Sequence, residues 1–124
     1  MADWTNEELA TIGDAEELQL ASRRGDCTLR DPVTMWVVRH GEELYVRCMN
    51  GRDGAWYRGT QTRHEGRISA GGLQRDVTFA DADRSLDDQI DDVYRTKYHR
   101  YGPNIVGGVV NPDARAATIK LVPR

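Results

Sequence analysis

The stretch Leu44-Tyr-Val-Arg-Cys-Met-Asn-Gly-Arg-Asp-Gly-Ala-Trp-Tyr-Arg-Gly59 holds the two strongest turn signals of the chain, Asn50-Gly51 and Asp53-Gly54, between two apolar runs. Asn-Gly and Asp-Gly suit tight hairpin turns, whose central residues take positive φ. Before the turns, Leu44 to Met49 alternates, with Leu44, Val46 and Cys48 on one face and Tyr45, Arg47 and Met49 on the other. After them, Ala55 to Thr60 reads as the returning strand. The stretch is therefore expected to be a hairpin with arginines 47, 52 and 58 and the rings of Tyr45, Trp56 and Tyr57 close to its turn.

Upstream, Thr5 and Glu8 have the spacing of a capping box, with Trp4 and Leu9 at the positions of a hydrophobic staple, so a short helix is expected to begin there and end at Gly13. Glu16 to Ser22 alternates as a half-buried strand. Arg24-Gly25-Asp26 turns the chain and Cys27 to Arg30 returns it. Val33 to Arg39, with Trp36, Val37 and Val38 in succession, reads as a strand buried on both faces. His40 to Glu43 is a hairpin loop.

Downstream, Glu65 to Ala70 and Leu73 to Ala80 are strands joined through Gly71-Gly72. Asp81 to Tyr101 has apolar residues at helical spacing (Leu86, Ile90, Val93, Tyr94 and Tyr98) and a cap in Asp83 or Ser85. Its acidic residues fall early and Lys97, His99 and Arg100 fall late, as a helix dipole prefers. The aspartates Asp81 to Asp92 read most simply as a solvated helix face. Gly107-Gly108 and Asn111-Pro112 mark a loop, and Arg115 to Val122 is the last strand, with Ala117, Ile119 and Leu121 alternating.

This order predicts a mainly β, α+β chain. Consecutive hairpins favour an antiparallel meander. A chain this short hides its sheet edges by curling into a small split barrel, with a short N-terminal helix and one long helix before the last strand. One domain is expected over residues 1–124.

Composition narrows the function classes. The 124 residues are 39% hydrophobic and 30% charged, a globular balance, and the net charge of −3 argues against general nucleic-acid binding. Cys27 and Cys48 form neither a CxxC nor a metal-like cluster, which points to reduced thiols and a cytoplasmic setting. No apolar run spans a membrane, and the first residues do not read as a secretory signal. His40, His64 and His99 show no metal-ligand spacing, and no nucleophile-elbow motif is present. Fifteen of the 17 basic residues are arginine. A GC-rich coding sequence explains that bias; so does a need for planar, two-pronged contacts to phosphate or carboxylate.

Trp36-Val-Val-Arg39, Leu44-Tyr-Val-Arg47, Gly51, Trp56-Tyr-Arg58, Lys97-Tyr98 and Ala117-Thr-Ile-Lys-Leu121, in that order and spacing, resemble the small bacterial domain-of-unknown-function 2255 family, from about Trp4 to Pro123. Cys48 and His99 depart from it, standing where a small polar residue and a glycine are expected. That family is distantly similar to the deazaflavin-dependent nitroreductases and the flavin-binding split barrels. The resemblance implies a homodimer whose interface completes the ligand grooves, and flavin mononucleotide (FMN) or a deazaflavin as cofactor. It also implies a cofactor groove lined by Arg47, Cys48, Gly51, Arg52 and Trp56. The phosphate loop of the deazaflavin enzymes has only Gly25-Asp26-Cys27-Thr28 in its place.

Each candidate has a plain alternative. Arg47 holds an anion or pairs with Glu42 or Asp53. Arg39 and Arg58 join Arg47 around an anion, or alternate faces and pair with the acidic helix. Trp36, Trp56 and Tyr57 pack in the core, or Trp56 covers a flat ligand. Lys97 and His99 complement the helix dipole or touch a ligand. Two functions follow: a flavin- or deazaflavin-binding oxidoreductase-like protein, and a non-catalytic protein binding an anionic or aromatic small molecule on the same scaffold. A protein whose surface serves only assembly comes third.

Overall fold

The computed structural model describes residues 3–49 and 51–124. Helix α1 (Asn6–Gly13) opens as expected: Thr5 Oγ1 accepts from the Glu8 backbone N–H at 3.1 Å, and Glu8 accepts from the Thr5 N–H at 2.9 Å. Trp4 and Leu9 are both buried in one core. Seven strands follow: β1 (Leu18–Ser22), β2 (Val33–Met35), β3 (Val38–His40), β4 (Glu43–Arg47), β5 (Glu65–Ala70), β6 (Leu73–Asp81) and β7 (Thr118–Pro123). They form one antiparallel sheet in the order β2-β1-β5-β6-β7-β4-β3.

The chain itself forces this sheet to curl. The edge strands β2 and β3 are consecutive, with only Trp36 and Val37 between them. Three Cα steps of 3.8 Å put Met35 and Val38 at most about 11 Å apart. Across a flat seven-stranded sheet the edges would stand roughly 29 Å apart, at about 4.8 Å per strand. The result is an antiparallel half-barrel whose two edges face each other across a two-residue seam.

The inside of the curl holds the larger core. Leu18 and Leu20 of β1, Leu44 and Val46 of β4, Val77 and Phe79 of β6, and Ile119 and Leu121 of β7 pack there with Leu9 and Ile12 of α1. The outer face of β1, β5 and β6 is wetter, as Gln19, Arg67 and Gln74 show. Over β3 and β4 that outer face is covered. Val38 and Tyr45 pack against Ile90, Tyr94 and Tyr98 and against Val106 and Val109, making a second core. These residues come from α3 (Asp87–Lys97) and α4 (Pro103–Val110), except Tyr98, which caps α3.

Five segments differ from the sequence reading. Ala55 to Thr60 is not a strand but lies in helix α2 (Ala55–Arg63). A hairpin there is impossible, because β4 pairs with β3 and β7 while β5 pairs with β1 and β6. The chain must cross from one place in the sheet to another, and α2 makes the crossing. Gly51–Asp53 is a 3-10 turn; Asn50 lies outside the described residues. Val33 to Arg39 is two short strands, with Val33 exposed, because the chain changes edges in its middle.

The single long helix expected over Asp81 to Tyr101 is α3, flanked by 3-10 turns at Arg84–Leu86 and His99–Tyr101. Asp81 ends β6. The expected loop at Gly107-Gly108 and Asn111-Pro112 is α4 and α5 (Pro112–Ala116). Both prolines stand at helix starts, where their missing N–H costs nothing. Asn111 caps α5 by accepting from the Ala114 N–H at 2.8 Å. A Cβ at Gly108 would lie 2.7 Å from Met49 Cε, the end of a flexible, exposed side chain that can move aside.

Candidate functional site

A slot of ≈ 360 Å³ opens beside the barrel seam. Met35 and Trp36 supply one side, the end of β4 with Arg47, Cys48 and Met49 supplies its back, Trp56 of α2 closes a flank, and Ile105 and Val109 of α4 cover it. Glu17 is the carboxylate on its rim. Met49 and Ile105 are 57% and 52% exposed. Large apolar side chains left in water around an apolar hollow are a mark of a binding site.

Trp36 is a rigid wall. Its ring lies 4.0 Å from that of Tyr98, centroid to centroid, at an interplanar angle of 4°. Tyr98 is held in turn, its single O–H proton shared between the carbonyl oxygens of Glu16 at 2.8 Å and Val37 at 3.0 Å while Oη accepts from the Val37 N–H at 3.2 Å. Burial pushes the Tyr98 phenol up to about 12, so it stays a donor at neutral pH. Trp36 belongs to the outer core and Trp56 to the inner one. The slot therefore lies where the two cores meet.

Arg47 is buried behind the slot. Its Nε donates to Thr118 Oγ1 at 2.9 Å, and its terminal nitrogens to the carbonyl oxygens of Val109 at 2.9 Å and Asp87 at 3.1 Å and to Asp91 Oδ1. Its acidic partners are thus Asp87 and Asp91, rather than Glu42 or Asp53. Asp91 also binds Arg115. Accordingly, Asp87 and Asp91 are buried members of α3, not part of a solvated face as the sequence reading had it. Asp87, Asp91, Tyr94 and Tyr98 recur at four, three and four residues, the stripe that helical spacing buries. That phase was the available signal.

The structure brings together three of the seven sequence candidates, Arg47, Cys48 and Trp56. Cys48, the residue after β4, is buried and joins the inner core, whereas Arg47 points toward α3 and α4. Gly51 has φ 70 and packs on Asp113 of α5, and Arg52 Nε donates to the Ala116 carbonyl at 2.9 Å. Their turn therefore docks on α5 beside the slot. Arg58 is exposed on α2. Arg39 lies elsewhere, in a cleft between α1 and α3. The slot also holds residues the sequence did not single out as ligand contacts: Met35, Ile105 and Val109. They come from segments read as one strand and one loop.

Among the described residues no group of three His, Cys, Asp or Glu side chains is placed to hold a metal, and no helix is long and apolar enough to cross a membrane.

Among curated proteins, none matches this chain. A solved structure described as an F420 reductase shares the fold, with a TM-score of 0.56 over 94% of this chain and 90% of that chain at 17% identity. Residues 8–121 match the family described as an uncharacterised protein conserved in bacteria, DUF2255, and the chain belongs to that family.

Proposed function

We propose that this protein binds a flat aromatic cofactor in the slot between Trp36 and Trp56, that the cofactor is a deazaflavin, and that the protein is an oxidoreductase-like member of its family acting in the cytosol. The observation that carries this is the slot itself: an apolar hollow flanked by two tryptophans, on a fold shared with an F420 reductase.

The residues fit the ring part of such a cofactor. Stacking on an indole contributes about 0.5–1.5 kcal/mol beyond the area buried, and Trp36 is already oriented by Tyr98. The anionic tail is a separate matter. Arg47 has its donors taken up by Thr118, Val109, Asp87 and Asp91, so its role is to hold β4 against α3 and α4 behind the ring. Arg52 and Arg58, exposed before and within α2, are the guanidinium groups left to meet a phosphate. When bound, a deazaflavin supplies hydride transfer, and the protein supplies the ring's orientation and a dry wall of Met35, Cys48 and Val109 against it. The exposed apolar rim at Met49 and Ile105 suits a homodimer that closes the mouth of the slot.

The test is a titration of the purified protein with coenzyme F420 and, separately, with FMN, following tryptophan fluorescence. Saturable quenching by F420 that is lost in Trp56→Ala supports the reading. Quenching by neither cofactor, with a flat neutral aromatic binding instead, would favour the non-catalytic binding protein. Light scattering that gives the mass of one chain at micromolar concentration would refute the dimer.

A further inference from the structure

A second cleft, ≈ 570 Å³, lies away from the tryptophan slot. Asp14 and Glu16 just after α1, Arg39 on β3, Asp92 and Lys97 on α3 and Arg100 beyond it face the cleft. Three of these six charges are already engaged in ion pairs. Arg100 binds Glu16 and lies 3.3 Å from Tyr101 Oη, and Asp92 takes Arg95 at 3.4 Å. Two of the other three are cations. Arg39 spends its Nε on the Gly41 carbonyl at 2.9 Å, and its terminal nitrogens have no partner among the described residues. Lys97 Nζ donates once, to the Val37 carbonyl at 2.6 Å, and lies 5.1 Å from the centre of the Tyr98 ring. One fixed N–H orients the amine; the rest of it is left to the cleft.

We propose that this cleft binds a small anionic aldehyde, with Arg39 holding the anionic group and the Lys97 amine capturing the carbonyl as an imine. The amine nitrogen forms the new C–N bond, and the carbonyl oxygen takes up both amine protons and leaves as water. Only an unprotonated amine attacks. Burial brings Lys97 down to about 8, against the pull of the Asp14 charge. At pH 7.5 roughly a quarter of such an amine is neutral, against about one part in a thousand for an ordinary lysine. The cleft has room for a few carbons, and Arg39 provides the two-pronged donor that a carboxylate or phosphate matches.

The chain has two lysines, so Lys120, on β7 beside Glu42 and Glu43, is a built-in comparison. The protein is incubated at pH 7.5 with glyoxylate and cyanoborohydride, and separately with propionaldehyde, and peptide masses are followed at Lys97, Lys120 and the N-terminal amine. The Lys97 adduct is expected to form at least tenfold faster than the Lys120 adduct and to saturate with glyoxylate but not with propionaldehyde. Arg39→Met, which keeps the stem that packs on Gly13, is expected to erase the preference for glyoxylate while circular dichroism stays that of the native chain. Equal rates at the two lysines, or an unchanged glyoxylate preference in Arg39→Met, would overturn the proposal.

Discussion

Arg47 of β4 and Asp91 of α3 form an ion pair whose two side chains are both 0% exposed. The pair joins the half-barrel to the helices that cover it, and α4 is tied in through the Val109 carbonyl. Removing Arg47 leaves the buried Asp91 carboxylate with Arg115 as its remaining partner, and breaking such a buried pair costs up to about 3–5 kcal/mol. Arg47→Met is therefore expected to lower the melting temperature by on the order of 10 °C. Adding Asp91→Leu is expected to recover part of that loss, because the buried carboxylate that Arg47 no longer meets goes with it, while Arg115 is part-exposed and turns to water. Thermal denaturation of the two single variants and the double variant checks this; a single variant as stable as the native chain would remove the pair from the architecture.

Binding in the slot separates from folding at its rim. Ile105 is 52% exposed, so Ile105→Arg is expected to change stability by less than about 0.5 kcal/mol. The same change sets a hydrated charge at the mouth and is expected to weaken F420 binding at least tenfold in the fluorescence titration. Trp56→Ala is expected to lose a similar factor through stacking. Should both variants bind like the native protein, the ligand sits elsewhere.

Gly66 on β5 is the most tightly hemmed in of the glycines described. A Cβ there would lie 2.3 Å from the Ala21 carbonyl oxygen and 2.8 Å from the Phe79 ring. Backbone cannot yield as a flexible side chain does, so Gly66→Ala is expected to cost roughly 1–3 kcal/mol or more, the range of overpacked cores. Gly25, with nothing nearby, is the control. Urea denaturation of Gly66→Ala and Gly25→Ala compares them directly.

Stability is expected to depend on pH on both sides of neutrality. The Thr5 backbone N–H holds Glu8 below the usual carboxylate range, and Arg67 does the same for Asp76. Their contribution is present above the ordinary carboxylate range and is lost as pH falls through the native values. Lys97 gives the same sign of slope at higher pH, but as a cost at neutrality that is relieved as the amine loses its proton. Burial lowers its native value to about 8 from 10.5, so the unfolded chain binds more protons between those values and stability rises with pH across that window. Above about 10 the tyrosines reverse the trend. Burial raises Tyr45, Tyr57, Tyr94 and Tyr98, so the unfolded chain ionises first and stability falls. Melting temperatures from pH 3 to 11 trace this; a Lys97→Met protein should lack the rise above pH 8.

The regular strands were legible because their side chains alternate. Glu65–Ala70 has the residues the alternation assigned, and Leu73–Asp81 extends its reading by one residue. The capping box of α1 is a local device and was equally plain. The misread segments share a different cause. Ala55 to Thr60 has apolar spacing compatible with either period over six residues, and the turns before it favoured a strand. Its helix follows from the partners already taken by β4 and β5, which are remote in sequence. Gly107-Gly108 reads as a loop by composition, and it is the docking of Val106 and Val109 into the outer core that makes it helix α4.

Local pattern, by itself, determined most of the strands, the first helix, the turn at Gly41 and the alternation that sends Arg47 and Cys48 to opposite sides, because each of these depends on neighbours a few residues away. Tertiary structure alone decided the partners and the site. Nothing near Arg47 in the chain announces Asp91, 44 residues on, as the carboxylate that meets it. Likewise the slot exists only because Met35, Cys48, Trp56 and Ile105, from four separate segments, are carried together when the sheet curls and α4 closes over its seam. Burial and ion pairing act through space, and chain order constrains them only after the sheet has closed.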